Sequence, residues 1–198
     1  MKRMKKNILI ILCMIVTCTV VSCNKDADKT KNIPIIKVTY AEVEFAYKTA
    51  DRVYISLMVG GLPYDPKVSI EDENGRVLYK VTEGNIKLLK DVEPYLKTYF
   101  SDQIANEIVS KMKSGEFGNL LKEINGQLYS SYTEYNNLRY IDEIYTVTKE
   151  NDYKMILHLK AELHPDLVNS SIKYDYYDFV YENLDGKKWV FTSFPFFR

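Results

Sequence analysis

The chain has 198 residues with 27 basic and 27 acidic side chains, and beyond its first residues no block of like charge, which argues against a polybasic nucleic-acid surface. All three cysteines lie at or before position 23, so the rest of the chain has no thiol nucleophile, no cysteine-ligated zinc and no disulfide framework. Seventeen tyrosines are unusual in a chain this long; each brings an apolar ring and a polar tip, suited to half-exposed sheet faces and contact surfaces.

The first elements are an address rather than a fold. Lys2, Arg3, Lys5 and Lys6 precede the apolar run Ile8–Val21, and the polarity flips after Ser22-Cys23. A basic start, a short apolar stretch and a small residue describe a secretory signal. The run is about two-thirds of the roughly 20 residues that span a bilayer as a helix, so a permanent span is the weaker reading. Val20-Val21-Ser22-Cys23 resembles the bacterial lipobox, in which the Cys thiol receives a diacylglycerol and becomes the new N-terminus. The alternatives are a plain secretory signal cut near Ser22 and a poorer lipobox ending at Cys18, where Thr17 puts a β-branched residue before the thiol. The expected organisation is a signal over residues 1–22, lipidated Cys23 and a polar tether over 23–38, and one domain over 39–198. Two acyl chains would hold it on the outer face of the cytoplasmic membrane. Removing residues 1–22 leaves 23 basic against 27 acidic residues, a net charge of −4.

Thr39–Val59 reads as a helix. Thr39 and Glu42 have capping-box spacing, and Val43, Ala46, Tyr47, Ala50, Val53, Tyr54, Leu57 and Met58 fall on one face. After the loop Leu62–Pro66, Val68–Val81 reads as a hairpin whose Asn74-Gly75 supplies positive-φ turn residues. Asp91 is the expected N-cap of a helix over Val92–Phe100, and Ser101 of a further one ending at Ser114-Gly115. Strands follow: a hairpin around Asn125-Gly126, a pair over Leu138–Thr148 and Tyr153–Leu163, and a last pair over Ile172–Glu182 and Lys187–Phe194 turning at Asp185-Gly186. In Tyr153–Leu163 the odd positions are apolar, whereas Lys154, Ile156, His158, Lys160 and Glu162 point the other way. Helices gathered before a meander predict an α+β fold, with N-terminal helices packed on one curved antiparallel sheet in a cystatin-like or nuclear-transport-factor-2-like manner.

The sequence offers little chemistry. His158 and His164 are the two histidines, without zinc-site spacing, and read as a solvated strand residue and a turn residue. No phosphate-binding glycine loop or serine elbow is present. Glu71-Asp72-Glu73 reads as a solvated turn, and Asp175 and Asp178 among tyrosines as one wet strand face. Trp189, Phe191, Phe194, Phe196 and Phe197 read as sheet core, or as an aromatic surface that grips a partner. Neither an enzyme nor a catalytic, metal or cofactor site is expected.

Tyr95–Ala105 (YLKTYFSDQIA), Ile124–Tyr129 (INGQLY) and Asp185–Val190 (DGKKWV) resemble the pattern of the extracytoplasmic DL-endopeptidase inhibitor (IseA) family, over about residues 40–194. The resemblance implies a non-catalytic protein that docks on cell-wall endopeptidases with a Cys–His active site and blocks access of substrate. Members of that family are often secreted free, so a lipid anchor here is a departure that would confine inhibition to enzymes near the membrane. The candidate contact is the connection His164–Ser171, with Glu162, His164 and Asp166 as partner-binding residues. Two other readings stand beside it: a lipoprotein that holds a small ligand or wall fragment in the concave face of its sheet, and a carboxylate-based enzyme.

Overall fold

The computed structural model describes residues 36–59, 62–118, 120–131, 140–164 and 172–196. The lipobox residues Val20, Val21 and Ser22, with Cys23, Asp166 and Phe197, lie outside them. Helix α1 spans Tyr40–Val59, close to the predicted bounds. Its capping box forms: the Glu42 N–H donates to Thr39 Oγ1 (3.3 Å) and the Thr39 N–H to the Glu42 carboxylate (2.6 Å). That backbone hydrogen bond from Thr39 holds the Glu42 carboxyl below its ordinary pKa. Val43, Tyr47, Ala50, Tyr54 and Leu57 are buried along one stripe at spacings of three and four.

Strands β1 (Tyr64–Glu71) and β2 (Val77–Val81) form the first hairpin, which begins earlier than expected because Tyr64 and Asp65 already pair with Val81 and Lys80. In its turn only Gly75 has positive φ (75°); Asn74 does not. Asp72 builds the turn instead. Its Oδ1 accepts the N–H groups of Asn74 (2.9 Å) and Arg76 (3.0 Å), and its Oδ2 meets the Arg76 guanidinium at 2.9 Å. The carboxylate is therefore enclosed by its own turn rather than solvated.

A 3-10 turn over Leu89–Asp91 leads into a short helix, α2 (Val92–Leu96). Asp91 does not cap α2: its Oδ2 points back and accepts the N–H groups of Lys87 (3.0 Å) and Leu88 (2.9 Å). The helix ends at Leu96, short of the expected Phe100, because the next residues serve a sheet. The Ser101 N–H donates to the Phe191 carbonyl (2.8 Å) and the Phe191 N–H to the Tyr99 carbonyl (2.9 Å). Ser101 then caps α3 (Asp102–Ser114) by accepting from the Ile104 N–H, and Gly115 at φ 80° closes its C-terminus.

Strands β3 (Leu121–Ile124) and β4 (Gln127–Ser130) turn at Asn125-Gly126, both with positive φ (51° and 70°). Strands β5 (Tyr140–Asn151), β6 (Lys154–Leu163), β7 (Tyr174–Asn183) and β8 (Trp189–Ser193) follow. The α+β class holds, but the single curved sheet does not. The described residues form two open antiparallel sheets of four strands each, ordered β1-β2-β4-β3 and β5-β6-β7-β8. The two early hairpins join each other through β2 and β4 (Tyr79 opposite Ser130) rather than extending the meander.

Helix α1 packs on β5 and β6, and α3 on α1 and β8. The predicted alternation of β6 holds, with Met155, Leu157, Leu159 and Ala161 all buried. The centre of the core is aromatic. Phe179 lies 4.6 Å from Tyr47 and 4.9 Å from Phe194, and Phe100 and Phe191 lie within 5.3 Å of Phe194, between ring centroids. Such pairs contribute about 0.5–1.5 kcal/mol each beyond their burial. Trp189, Phe191 and Phe194 are thus core residues, not a gripping surface. Val38 and Ile36, assigned to the tether from sequence, belong with the domain: Val38 packs on the core, and the Trp189 indole N–H donates to the Ile36 carbonyl (2.6 Å).

Candidate functional site

Two of the predicted partner-binding residues, Glu162 and His164, stand at one end of the second sheet. Glu162 stands on the outer face of β6, opposite Asp142 and Tyr174, and His164, half-buried, follows the last strand residue. The Leu163 N–H donates to the Lys173 carbonyl (3.0 Å), which pins the neck of the connection. Glu162 and His164 therefore share this end.

The register brings a second group to the same end, on the opposite face. Glu143, Ala161 and Asp175 are directly opposed across β5, β6 and β7, so all three face the core side. With strands about 4.8 Å apart, the two carboxylate-bearing backbones stand about 10 Å from each other across the small Ala161. The Tyr140 hydroxyl lies 2.8 Å from Asp175 Oδ2 and 2.7 Å from the Tyr177 hydroxyl, which itself donates to the same oxygen at 3.2 Å. Tyr145 donates to Glu143. Burial above all, then the hydrogen bonds to Tyr177 and Asp175, pushes the Tyr140 phenol well above its ordinary pKa, so it remains a neutral donor. This set of phenols and carboxylates presents hydrogen-bonding oxygens beside aromatic rings. It was missed in sequence because Asp175 was read as wet, although it is in phase with Tyr177, Phe179 and Tyr181.

The outer face carries different chemistry. Thr146, His158 and Asp178 form one cross-strand row, and Ile144, Lys160 and Tyr176 the next. His158 Nδ1 meets Asp178 Oδ1 at 2.6 Å and its Nε2 meets Thr148 Oγ1 at 2.9 Å. His158 is on the polar face as predicted, yet it is held between two partners. A hydroxyl, an imidazole and a carboxylate in sequence match the roles of a catalytic triad. Here they lie on an open sheet, with the His158 and Asp178 side chains 39% and 67% exposed, where water competes for each bond. Lys160 Nζ sits 3.8 Å from the Tyr174 ring centroid. Tyr176 (70% exposed), Ile144 (51%) and Ile172 (71%) stand out from this face and its loop end.

An apolar cavity of about 210 Å³ lies among Leu57, Val92, Val109, Met112, Phe117 and Leu121. It is smaller than the roughly 300–1,000 Å³ of ordinary ligand pockets. Among the described residues no three metal-ligating side chains converge, and no helix is long and apolar enough to cross a membrane. Comparison with protein-family models and with curated proteins gives no match.

Proposed function

We propose that this chain is a non-catalytic lipoprotein, anchored through Cys23 to the outer face of the cytoplasmic membrane, that binds and inhibits a cell-wall DL-endopeptidase of the Cys–His type. The observation that carries a protein-binding reading is the open outer face of the second sheet, where Tyr176 and Ile144 are each at least half exposed, with Ile172 exposed at its loop end. Exposed apolar and aromatic residues grouped on one face favour a protein partner, and tyrosine is a frequent interface anchor. The class of partner comes from the resemblance of Tyr95–Ala105, Ile124–Tyr129 and Asp185–Val190 to the inhibitor family, and the anchor from Val20–Cys23. Glu162 and His164 form the rim of the contact, and Asp166 belongs to the same partner-binding set. Within this reading α1, laid across an antiparallel meander, supports a cystatin-like or nuclear-transport-factor-2-like arrangement for the larger half.

A second reading is favoured by the Tyr140, Glu143, Tyr145, Asp175 and Tyr177 group. Phenols and carboxylates together on the inner face of the sheet suit a small polar ligand such as a wall fragment bearing hydroxyls and amines.

One experiment separates the two. The mature chain is added to a purified Cys-type DL-endopeptidase digesting peptidoglycan, and solubilised wall fragments are titrated into the chain in a calorimeter. Inhibition with a co-eluting complex, weakened at least tenfold by Tyr176→Ala while stability stays within about 0.5 kcal/mol, supports the inhibitor reading. Heat of binding with fragments, without inhibition, supports the ligand reading and overturns the first.

A further inference from the structure

The two ends of the second sheet differ. In a meander the β5–β6 and β7–β8 turns lie together, opposite the end that carries Glu162 and His164. The Asn183 N–H donates to the Tyr153 carbonyl (2.9 Å), which joins the two turns. The domain's first described residue is at this same end, because the Trp189 indole holds the Ile36 carbonyl and Trp189 pairs with Asn183. A cleft of about 320 Å³ lies here among Lys37, Tyr40, Lys149, Asp152, Met155 and Trp189. Ile36 (50%) and Tyr40 (57%) at the start of the domain, and Tyr153 (40%) and Leu184 (64%) in the two turns at the same end, are exposed. The charges nearly balance: Lys37, Lys149, Lys154, Lys187 and Lys188 stand near Glu150, Asp152, Glu182 and Asp185, with Lys149 paired to Asp152 (2.5 Å) and Lys154 to Glu150 (2.8 Å).

We propose that this end, formed by Ile36, Tyr40, Tyr153 and Leu184, rests on the lipid headgroups of the membrane. The inference depends on the lipid-anchor reading of Cys23. Twelve residues separate Cys23 from Ile36. Twelve residues reach at most about 40 Å, so the domain is held within reach of the bilayer. Two tyrosines flanked by aliphatic side chains and lysines suit the interface, where aromatic rings with a polar tip sit at headgroup level and lysines extend into water. A near-balanced charge means that contact depends on these side chains rather than on attraction to anionic lipid. The ten-residue β6 then carries Glu162 and His164 about 30 Å away, toward the wall.

Trp189 is the chain's single tryptophan and sits at this end, so it reports the contact without labelling. The lipidated full-length product is reconstituted in phosphatidylethanolamine–phosphatidylglycerol vesicles with or without a phospholipid brominated near its headgroup. The expected result is flotation with the vesicles and at least twofold quenching of Trp189 by the brominated lipid. Tyr153→Ser/Leu184→Ser should float equally and lose the quenching; both side chains are exposed, and circular dichroism checks the fold. Floated wild-type protein with unquenched Trp189, or a double variant quenched as strongly as wild type, overturns the proposal. Unquenched Trp189 together with a cross-linked dimer that the double variant abolishes assigns this end to a second copy instead. Cys23→Ala reads the anchor separately: it should be released or remain as unprocessed precursor, and unchanged processing together with flotation overturns the lipidation reading alone. Wild-type protein that does not float overturns both.

Discussion

In the first sheet the hairpins close through their own turn residues, Asp72 and Gly75 in one and Asn125-Gly126 in the other, and β1 contributes no fully buried side chain. In the second sheet the strands are twice as long in places, and their inner rows pack on α1 and on the ring cluster of Tyr47, Phe179, Phe191 and Phe194. One sheet is specified by local backbone chemistry, the other by burial of an alternating face. The difference bears on the proposed contact as well. A sheet that buries one long face against a helix has its other face to offer, and the exposed Tyr176 and Ile144 lie there.

The largest expected effect comes from breaking the second sheet's core. Phe179 has no exposed surface and touches Tyr47 and Phe194, so Phe179→Ala should cost about 3–5 kcal/mol through lost burial and a cavity. Denaturant unfolding followed by circular dichroism measures it. A loss below about 1 kcal/mol would mean that the ring cluster does not hold the two layers together.

The first sheet should respond to its backbone. Gly126 has φ 70°, and a Cβ there would meet no atom within 4 Å. Gly126→Ala therefore carries only the left-handed backbone penalty, about 1–2 kcal/mol, with no steric clash. Hydrogen exchange should quicken at Leu121–Ser130 more than along β6. Equal acceleration in both sheets would show that they unfold as one unit and would remove the contrast.

The same contrast explains what was legible in the sequence. Helix α1, the Ser101 cap, the turns at Asn125-Gly126 and Asp185-Gly186 and the buried face of β6 all depend on residues near each other in the chain, and they were read correctly. The pairing of β2 with β4 was not legible, since two short hairpins with half-buried faces carry no mark of whether they join each other or the meander. Asp91 and the end of α2 were misread because their partners depend on the path of the chain: Asp91 turned back to Lys87 and Leu88, and Tyr99–Ser101 were drawn to β8. The Tyr140, Asp175 and Tyr177 group was hidden for a related reason. Asp175 and Tyr177 lie 35 and 37 positions from Tyr140 and meet it only once the register of β5, β6 and β7 is fixed.

The smallest effect tests the turns as a matched pair. The Arg76 backbone N–H above all, joined by the Asn74 N–H and the Arg76 guanidinium, holds Asp72 below the usual carboxylate range. The N–H groups of Lys187 and Lys188 do the same for Asp185 in the second sheet. A carboxyl whose folded pKa is depressed stabilises the fold above its unfolded pKa, about 3.9, and that contribution fades as pH falls through the folded value. Unfolding midpoints measured from pH 7 down to pH 2 should therefore decline more steeply for the wild-type chain than for Asp72→Asn below about pH 4. Asn keeps neutral hydrogen bonds to the Asn74 and Arg76 N–H groups but loses the charge that meets the Arg76 guanidinium, so Asp72→Asn should be somewhat less stable than wild type at pH 7 and approach it as pH falls. Asp185→Asn should flatten the same acidic limb. If Asp72→Asn flattens it for hydrogen exchange in β1–β2 but not in β7–β8, and Asp185→Asn does the reverse, each turn acts on its own sheet. If either variant flattens both, the acid response belongs to the shared core, and local turn chemistry is not what distinguishes the first sheet.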